Sequence, residues 1–159
     1  MILLAGGCGY RYAGQATALP EAIRSIAIPV FQNDSTEPGI EAAVTRAVIE
    51  KFERDGRLRV TSRENADAAL NGTIESYTLR PIAFDTNNNA TEYRVKIRLR
   101  IRMEDKTGGS ANRETTMEAQ WDYTSNASIT QTESAREAAI IKAAQYLGDS
   151  LVGYLLEGF

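Results

Sequence analysis

The sequence contains no histidine and a single cysteine, Cys8. Without histidine there is no Ser-His-Asp triad and no His-bearing metal site. One cysteine excludes an intramolecular disulfide and every multi-cysteine zinc pattern. No phosphate-cradling P-loop occurs, and no GxGxxG follows a strand. Asp67 and Glu75 are the least implausible catalytic carboxylates, but they read better as turn chemistry and as an exposed strand residue. An enzyme is not expected, nor a metal. No run of 18 apolar residues is present, so no helix is expected to span a membrane. Positive charge is not in excess either: the formal net charge is -3 and the pI about 5.1. A general nucleic-acid binder is therefore not expected.

What remains is ordinary globular material. The chain has 159 residues, 43% hydrophobic and 25% charged, enough for one domain with a real core. No internal repeat is visible. The start, MILLAGGCGYRYAG, places small residues (Ala5, Gly6, Gly7) before Cys8, with Leu3 and Leu4 upstream. A lipoprotein signal needs small residues there, because a peptidase cuts before a cysteine that then carries the lipid. The usual leucine position, three before the cysteine, is held by Ala5, and seven residues are too few for a complete signal. Residues 1–7 thus read as the remnant of such a signal and 8–22 as the linker from a lipid anchor on Cys8. The other reading of Cys8 is a free thiol at a terminus. Residues 23–159 form the single domain.

Within that domain Ile23–Gln32 is an apolar, β-branched run that reads as a first strand, with Pro29 marking an edge or bulge. Asp34, Ser35 or Thr36 is the expected helix N-cap, with Glu37 and Pro38 in the first turn. Ile40, Val44, Val48 and Phe52 then recur every four residues, an amphipathic helix ended by Asp55-Gly56. A short strand is expected at 57–62 and a longer one at 70–84, interrupted by Pro81. After the polar loop 85–91 come strands at 93–103 and 113–123, and a long helix over 133–156. Gly148 and Gly153 should weaken that helix by up to about 1 kcal/mol each. The order β-α-(β)-β-β-β-α gives an α+β, two-layer sandwich: a mixed sheet of four to five strands with two helices on one face.

The least random stretch is Arg94–Met103, RVKIRLRIRM, in which Arg94, Lys96, Arg98, Arg100 and Arg102 alternate with apolar residues. The strand after it alternates too, with acidic or polar residues at 114, 116, 118, 120 and 122. If opposing residue numbers sum to 216, Arg102 meets Glu114, Arg98 meets Glu118 and Arg94 meets Asp122. On the apolar side Val95 meets Trp121, Ile97 meets Ala119 and Leu99 meets Met117. A slip by one residue would ruin both faces; a slip by two would keep polarity. In the 216 register Lys96 and Arg100 face only Gln120 and Thr116, which leaves them unpaired. The stripe is then either a solvated face with its charges paired, or a surface awaiting an anionic ligand.

Several segments together resemble one family. They are CGYRYAG, LPEAIRSIAIPVFQNDSTEPGIEAAVT, ADAALNGTIESY, TEYRVKIRLRI and the closing LLEGF. Ile28-Pro29-Val30-Phe31 with Asn33, Glu37-Pro38-Gly39 with Glu41, and Ala66-Asp67 followed by Gly72-Thr73-Ile74 carry it most specifically. The chain is similar to the LptE family of lipopolysaccharide-assembly lipoproteins of Gram-negative outer membranes. That resemblance implies a small α/β domain held by a lipid on Cys8 at the periplasmic side of the outer membrane. It implies a plug and chaperone for an LptD-type β-barrel that delivers lipopolysaccharide to the outer leaflet and binds it. No cofactor beyond the covalent lipid is implied. Lys96 and Arg100, then Arg94 and Arg98, become the candidates for meeting lipopolysaccharide phosphates. The alternative is a free-standing periplasmic lipoprotein that makes protein contacts in an envelope or secretion complex, since fold does not fix function.

Overall fold

The computed structural model describes residues 18–125 and 128–158. Its sheet carries six strands, one or two more than expected. They are β1 (Ser25–Ala27), β2 (Gln32–Asn33), β3 (Arg59–Val60), β4 (Ala68–Phe84), β5 (Ala90–Asp105) and β6 (Arg113–Thr124). The spatial order is β3-β1-β4-β5-β6, with β2 on the same edge of β4 as β1. The extra strand arises because the expected single strand over 23–32 is two. β1 runs parallel to β4 from Ile26↔Ala68, the chain leaves the ladder around Pro29, and β2 rejoins β4 at Gln32↔Thr73. Proline has no N–H to give a ladder, so the break falls where chemistry puts it.

Helix α1 (Ile40–Asp55) buries Ile40, Val44, Val48 and Phe52, the expected four-residue stripe. Its start differs from expectation. Gly39, at φ 80°, takes the N-cap position, and no side chain caps the helix. Asn33 organises the approach instead: its amide donates to Glu37 O and Glu41 Oε2, and its oxygen accepts from the Ser35 N–H and hydroxyl. Gly56, at φ 74°, closes the other end by donating to Phe52 O. Helix α2 (Ile129–Val152) starts earlier than expected and continues into a π-helical turn over Gly153–Glu157. Its first ten residues bury nothing apolar; Arg136 fastens them by donating to Glu37 Oε1 at 2.5 Å, and it also pairs with Glu133. Burial begins at Ala139 and runs through Ala143, Leu147 and Leu151.

Both helices cover one face of the sheet. There Val95, Ile97, Leu99, Ile101 and Met103 of β5 are sealed against them. At roughly 1.5–3 kcal/mol per fully buried aliphatic side chain, this stripe is the main apolar contribution of any one strand. The glycine expected to weaken α2 has a packing reason. A Cβ on Gly148 would lie 2.8 Å from Lys51 Cγ and 3.1 Å from Ala47 O, so the missing side chain is what lets α1 and α2 approach. Asp67 is a stitch: one carboxylate oxygen accepts from the Arg24 N–H, the Ser25 N–H and the Ser25 hydroxyl, fixing the start of β1. Ala18 donates to Leu156 O, and Leu19 is buried, so the chain enters the domain beside the C-terminal turn.

Gly72 on β4 makes the tightest of these contacts, because a Cβ there would stand 2.6 Å from the buried Phe31 ring. Gly72→Ala should destabilise the fold by about 1–3 kcal/mol, the usual cost of overpacking. Adding Phe31→Leu should return part of that loss, so the double variant should be more stable than additivity allows. Urea denaturation of the four chains measures it.

Candidate functional site

The face of the sheet that no helix covers among the described residues is built from alternate residues of β4, β5 and β6. The β5–β6 pairing runs from Glu92↔Thr124 to Met103↔Arg113 with every pair summing to 216. Arg102↔Glu114, Arg98↔Glu118 and Arg94↔Asp122 are therefore direct neighbours, as expected, and Val95, Ile97 and Leu99 face Trp121, Ala119 and Met117. Trp121 is less enclosed than expected: it is 45% exposed because β6 is the edge of the sheet. Cys8, the expected lipid site, lies outside the described residues.

The ion pairs form a lattice. Arg94 donates Nε and a terminal nitrogen to the two oxygens of Asp122, both at 2.7 Å, a fork-to-fork bond. Arg102 Nε donates to Glu114 at 3.2 Å. Lys96 and Arg100 are not unpaired, which corrects the expectation. Lys96 Nζ lies 2.6 Å from Glu118 Oε2, reaching diagonally past Gln120. Arg100 turns the other way, its Nε 3.0 Å from Glu75 Oε1, although that nitrogen makes no aligned hydrogen bond. Arg98 sits between them, 3.0 Å from Glu75 and 3.4 Å from Glu118.

The reason lies in β4. Its register against β5 shifts between Ile74 and Ser76, so Glu75 and Ser76 together oppose Arg98. This bulge leaves Glu75 on the charged face, where its two oxygens serve Arg98 and Arg100. The signal was in the sequence as a change of parity: Leu70, Gly72 and Ile74 line the helix side, but after the bulge Tyr77 and Leu79 do. The same shift brings up a cation that sequence reasoning missed. Arg80 lies on the charged face directly opposite Arg94, and among the described residues it has no ion-pair partner. Six cations (Arg80, Arg94, Lys96, Arg98, Arg100, Arg102) thus share the face with six carboxylates (Glu75, Glu92, Glu104, Glu114, Glu118, Asp122), and Arg63, 3.9 Å from Glu104, borders it.

Two open grooves mark this face. One, about 550 Å³, is lined by Arg63, Asn71, Thr73, Arg100, Arg102 and Glu114 among others. The other, about 410 Å³, is lined by Thr78, Arg80, Arg94, Lys96, Arg98 and Gln120 among others. Both are open; the first is mostly polar, and the second mixes its charged residues with Pro81 and Ile82. Among the described residues no cluster could hold a metal ion, and no helix is long and apolar enough to cross a membrane.

The lattice lowers the pKa of two of its carboxylates, Asp122 and Glu118. The Arg94 hydrogen bonds hold Asp122 below the usual carboxylate range, and the Lys96 contact, with Arg98 nearby, does the same to Glu118. The Ser25 hydroxyl and the Arg24 N–H depress Asp67 likewise. Groups lowered on folding contribute stability that is present above their unfolded pKa and is lost as pH falls through the folded value. Stability should therefore drop below about pH 4. Asp122→Asn should remove part of that acid dependence, and salt near 1 M should weaken the exposed lattice at neutral pH. Urea titrations at several pH values and salt concentrations check both; unchanged acid sensitivity in Asp122→Asn would mean that the Arg94 pair contributes nothing measurable.

One family model matches the chain, and solved structures share its fold. A family model described as "LptE: Lipopolysaccharide-assembly" matches residues 23–154. No curated protein matches the sequence. Among solved structures, the minor lipoprotein from Acinetobacter baumannii superposes with a TM-score of 0.56 at 12% identity, covering 86% of this chain and 92% of that one. The rare lipoprotein B from Shewanella oneidensis gives 0.55 at 14% identity, over 77% and 89%. The uncharacterized lipoprotein B from Nitrosomonas europaea gives 0.54 at 13%, over 91% and 88%. At such identities these likenesses speak to the fold alone.

Proposed function

The chain belongs to the LptE lipopolysaccharide-assembly family, and from that premise we propose that it is the plug and folding chaperone of an LptD-type outer-membrane β-barrel and that it contacts lipopolysaccharide on its way through. The observation that carries this is the family match over residues 23–154, which takes in the whole sheet and both α-helices. The uncovered face supports it physically. The interior of an outer-membrane barrel is polar, so a plug must offer a polar wall and not a second apolar one. A lattice of exposed ion pairs meets that need.

Lipopolysaccharide phosphates would meet Lys96, Arg100, Arg94 and Arg98. Each already has a carboxylate neighbour, so an incoming phosphate exchanges one anion for another. Exposed pairs contribute little to stability, and the exchange costs little for that reason. Guanidinium suits a phosphate because its planar fork can bond two oxygens. Cys8 carries the lipid in this proposal, with residues 1–7 the remnant of the signal and 8–22 the linker. The protein then sits on the periplasmic side of the outer membrane, and no step of its work needs catalysis, a metal or a nucleic acid.

Full-length chain, recovered in mild detergent from the outer membranes of its own cell, should bring down a large β-barrel in stoichiometric amount. Recovery alone, or with soluble envelope proteins only, overturns the proposal in favour of a free-standing lipoprotein. The ligand role has its own test. Lys96→Glu with Arg100→Glu should weaken lipopolysaccharide binding at least about tenfold, the effect of losing even one of two charge-assisted contacts of roughly 1.5 kcal/mol each. Unchanged binding, with a native circular-dichroism spectrum, rejects these two residues as the phosphate contacts.

A further inference from the structure

We propose that the outer edge of β4 between Ser76 and Arg80 receives an extended, carboxylate-bearing segment of the barrel as an additional strand; this rests on the barrel partnership inferred above. The starting observation is where β2 stops. Its last pair with β4 is Asn33↔Ile74, and Asp34 N–H makes the final bond, to Ile74 O. β4 then runs on to Phe84, and among the described residues it is paired there with β5 on its other side only. An open strand edge presents unpaired N–H and C=O groups and is a template for another strand.

Most of this edge is guarded. The register shifts at Ile74/Ser76 and again at Pro81/Ala83, and bulges and proline are the usual means of spoiling an edge. Between those guards Ser76, Tyr77, Thr78, Leu79 and Arg80 keep regular pairing with Arg98, Ile97, Lys96, Val95 and Arg94. Five residues is an ordinary strand length. Recognition by strand addition takes its affinity from the main chain and its specificity from alternate side chains.

Those side chains describe the occupant. On the helix side Leu79 is 40% exposed although its neighbour across the ladder, Val95, is sealed. An apolar residue opposite Leu79 would cover it. On the other side Arg80 stands opposite Arg94, an unfavourable like-charge pair. Arg94 is occupied by Asp122, and Arg80 has no ion-pair partner among the described residues. A carboxylate on an added strand, directly across from Arg80, supplies the missing charge. A second copy of the chain fits this edge badly. Antiparallel self-pairing centred on Thr78 runs Ile82 of one copy against Ile74 of the other, where β2 already lies. Centring it on Arg80 sets two arginines face to face.

The test is backbone hydrogen exchange on the full-length chain, free and in its purified complex with the barrel. Alternate amides between Ser76 and Arg80 should slow at least about tenfold in the complex. Arg80→Glu should stabilise the free chain, since it removes the like-charge opposition to Arg94, yet weaken the barrel complex about tenfold; Arg80→Lys should keep most of the binding. Opposite signs for folding and binding cannot come from a misfolded variant. A complex that forms with unchanged exchange at 76–80 overturns strand addition and leaves the barrel reading intact. Failure to form any complex overturns both. Concentration-dependent protection in the free chain, or equal protection by lipopolysaccharide micelles alone, overturns the choice of occupant.

Discussion

The strict alternation along β5 is the constraint that both faces of this domain share. Its apolar residues, from Val95 to Met103, are the sealed floor under α1 and α2. Its basic residues, from Arg94 to Arg102, are the anchor points of the ion-pair lattice. One strand therefore sets the core and the functional face together, and neither can change register without the other. A one-residue slip would put five cations under the helices, and burying unpaired charge costs far more than any local gain in pairing. β6 answers this pattern position by position, which is why a single sum describes the whole hairpin.

That hairpin was legible because period-two patterns on adjacent strands constrain each other. The helix stripe Ile40–Phe52 was legible for the same kind of reason, a long repeat in one segment. What stayed hidden depends on single extra residues. The bulge at Glu75 cannot be read from β5 and β6, and without it Arg100 looked unpaired. Long side chains also reach diagonal neighbours, as Lys96 does to Glu118, and a table of direct opposites misses that. The start of α1 escaped because its cap is a left-handed glycine rather than an oxygen-bearing side chain. Trp121 was placed on the correct side but not at the correct depth, because depth depends on which strand ends the sheet.

Pairing and binding do not exclude each other on such a face. A cation held by a partly exposed carboxylate keeps its charge, and the lattice fixes where that charge stands. Glu75 and Glu118 each serve two cations. An anion that displaced either carboxylate would meet two positive groups already positioned, with little side-chain entropy left to lose. The paired and the ligand-ready descriptions of the stripe are thus two states of one surface, selected by what arrives.

The two long edges of the sheet carry opposite chemistry. Along β6 the outward face shows Glu114, Glu118 and Asp122, so antiparallel self-pairing there would bring acid against acid. Along the free part of β4 the same face shows Thr78 and Arg80, with no carboxylate beyond the bulge at Glu75. β5 between them carries five cations, flanked on the same strand by Glu92 and Glu104, and their ion pairs run to three acids of β6 and to Glu75 of β4. Arg80, which has no ion-pair partner among the described residues, therefore lies on the β4 side, next to backbone that has no ladder partner among them. Electrostatic demand and hydrogen-bonding demand coincide at the same five residues. An occupant that met only one of them, a lone anion or an uncharged strand, would leave the other unsatisfied.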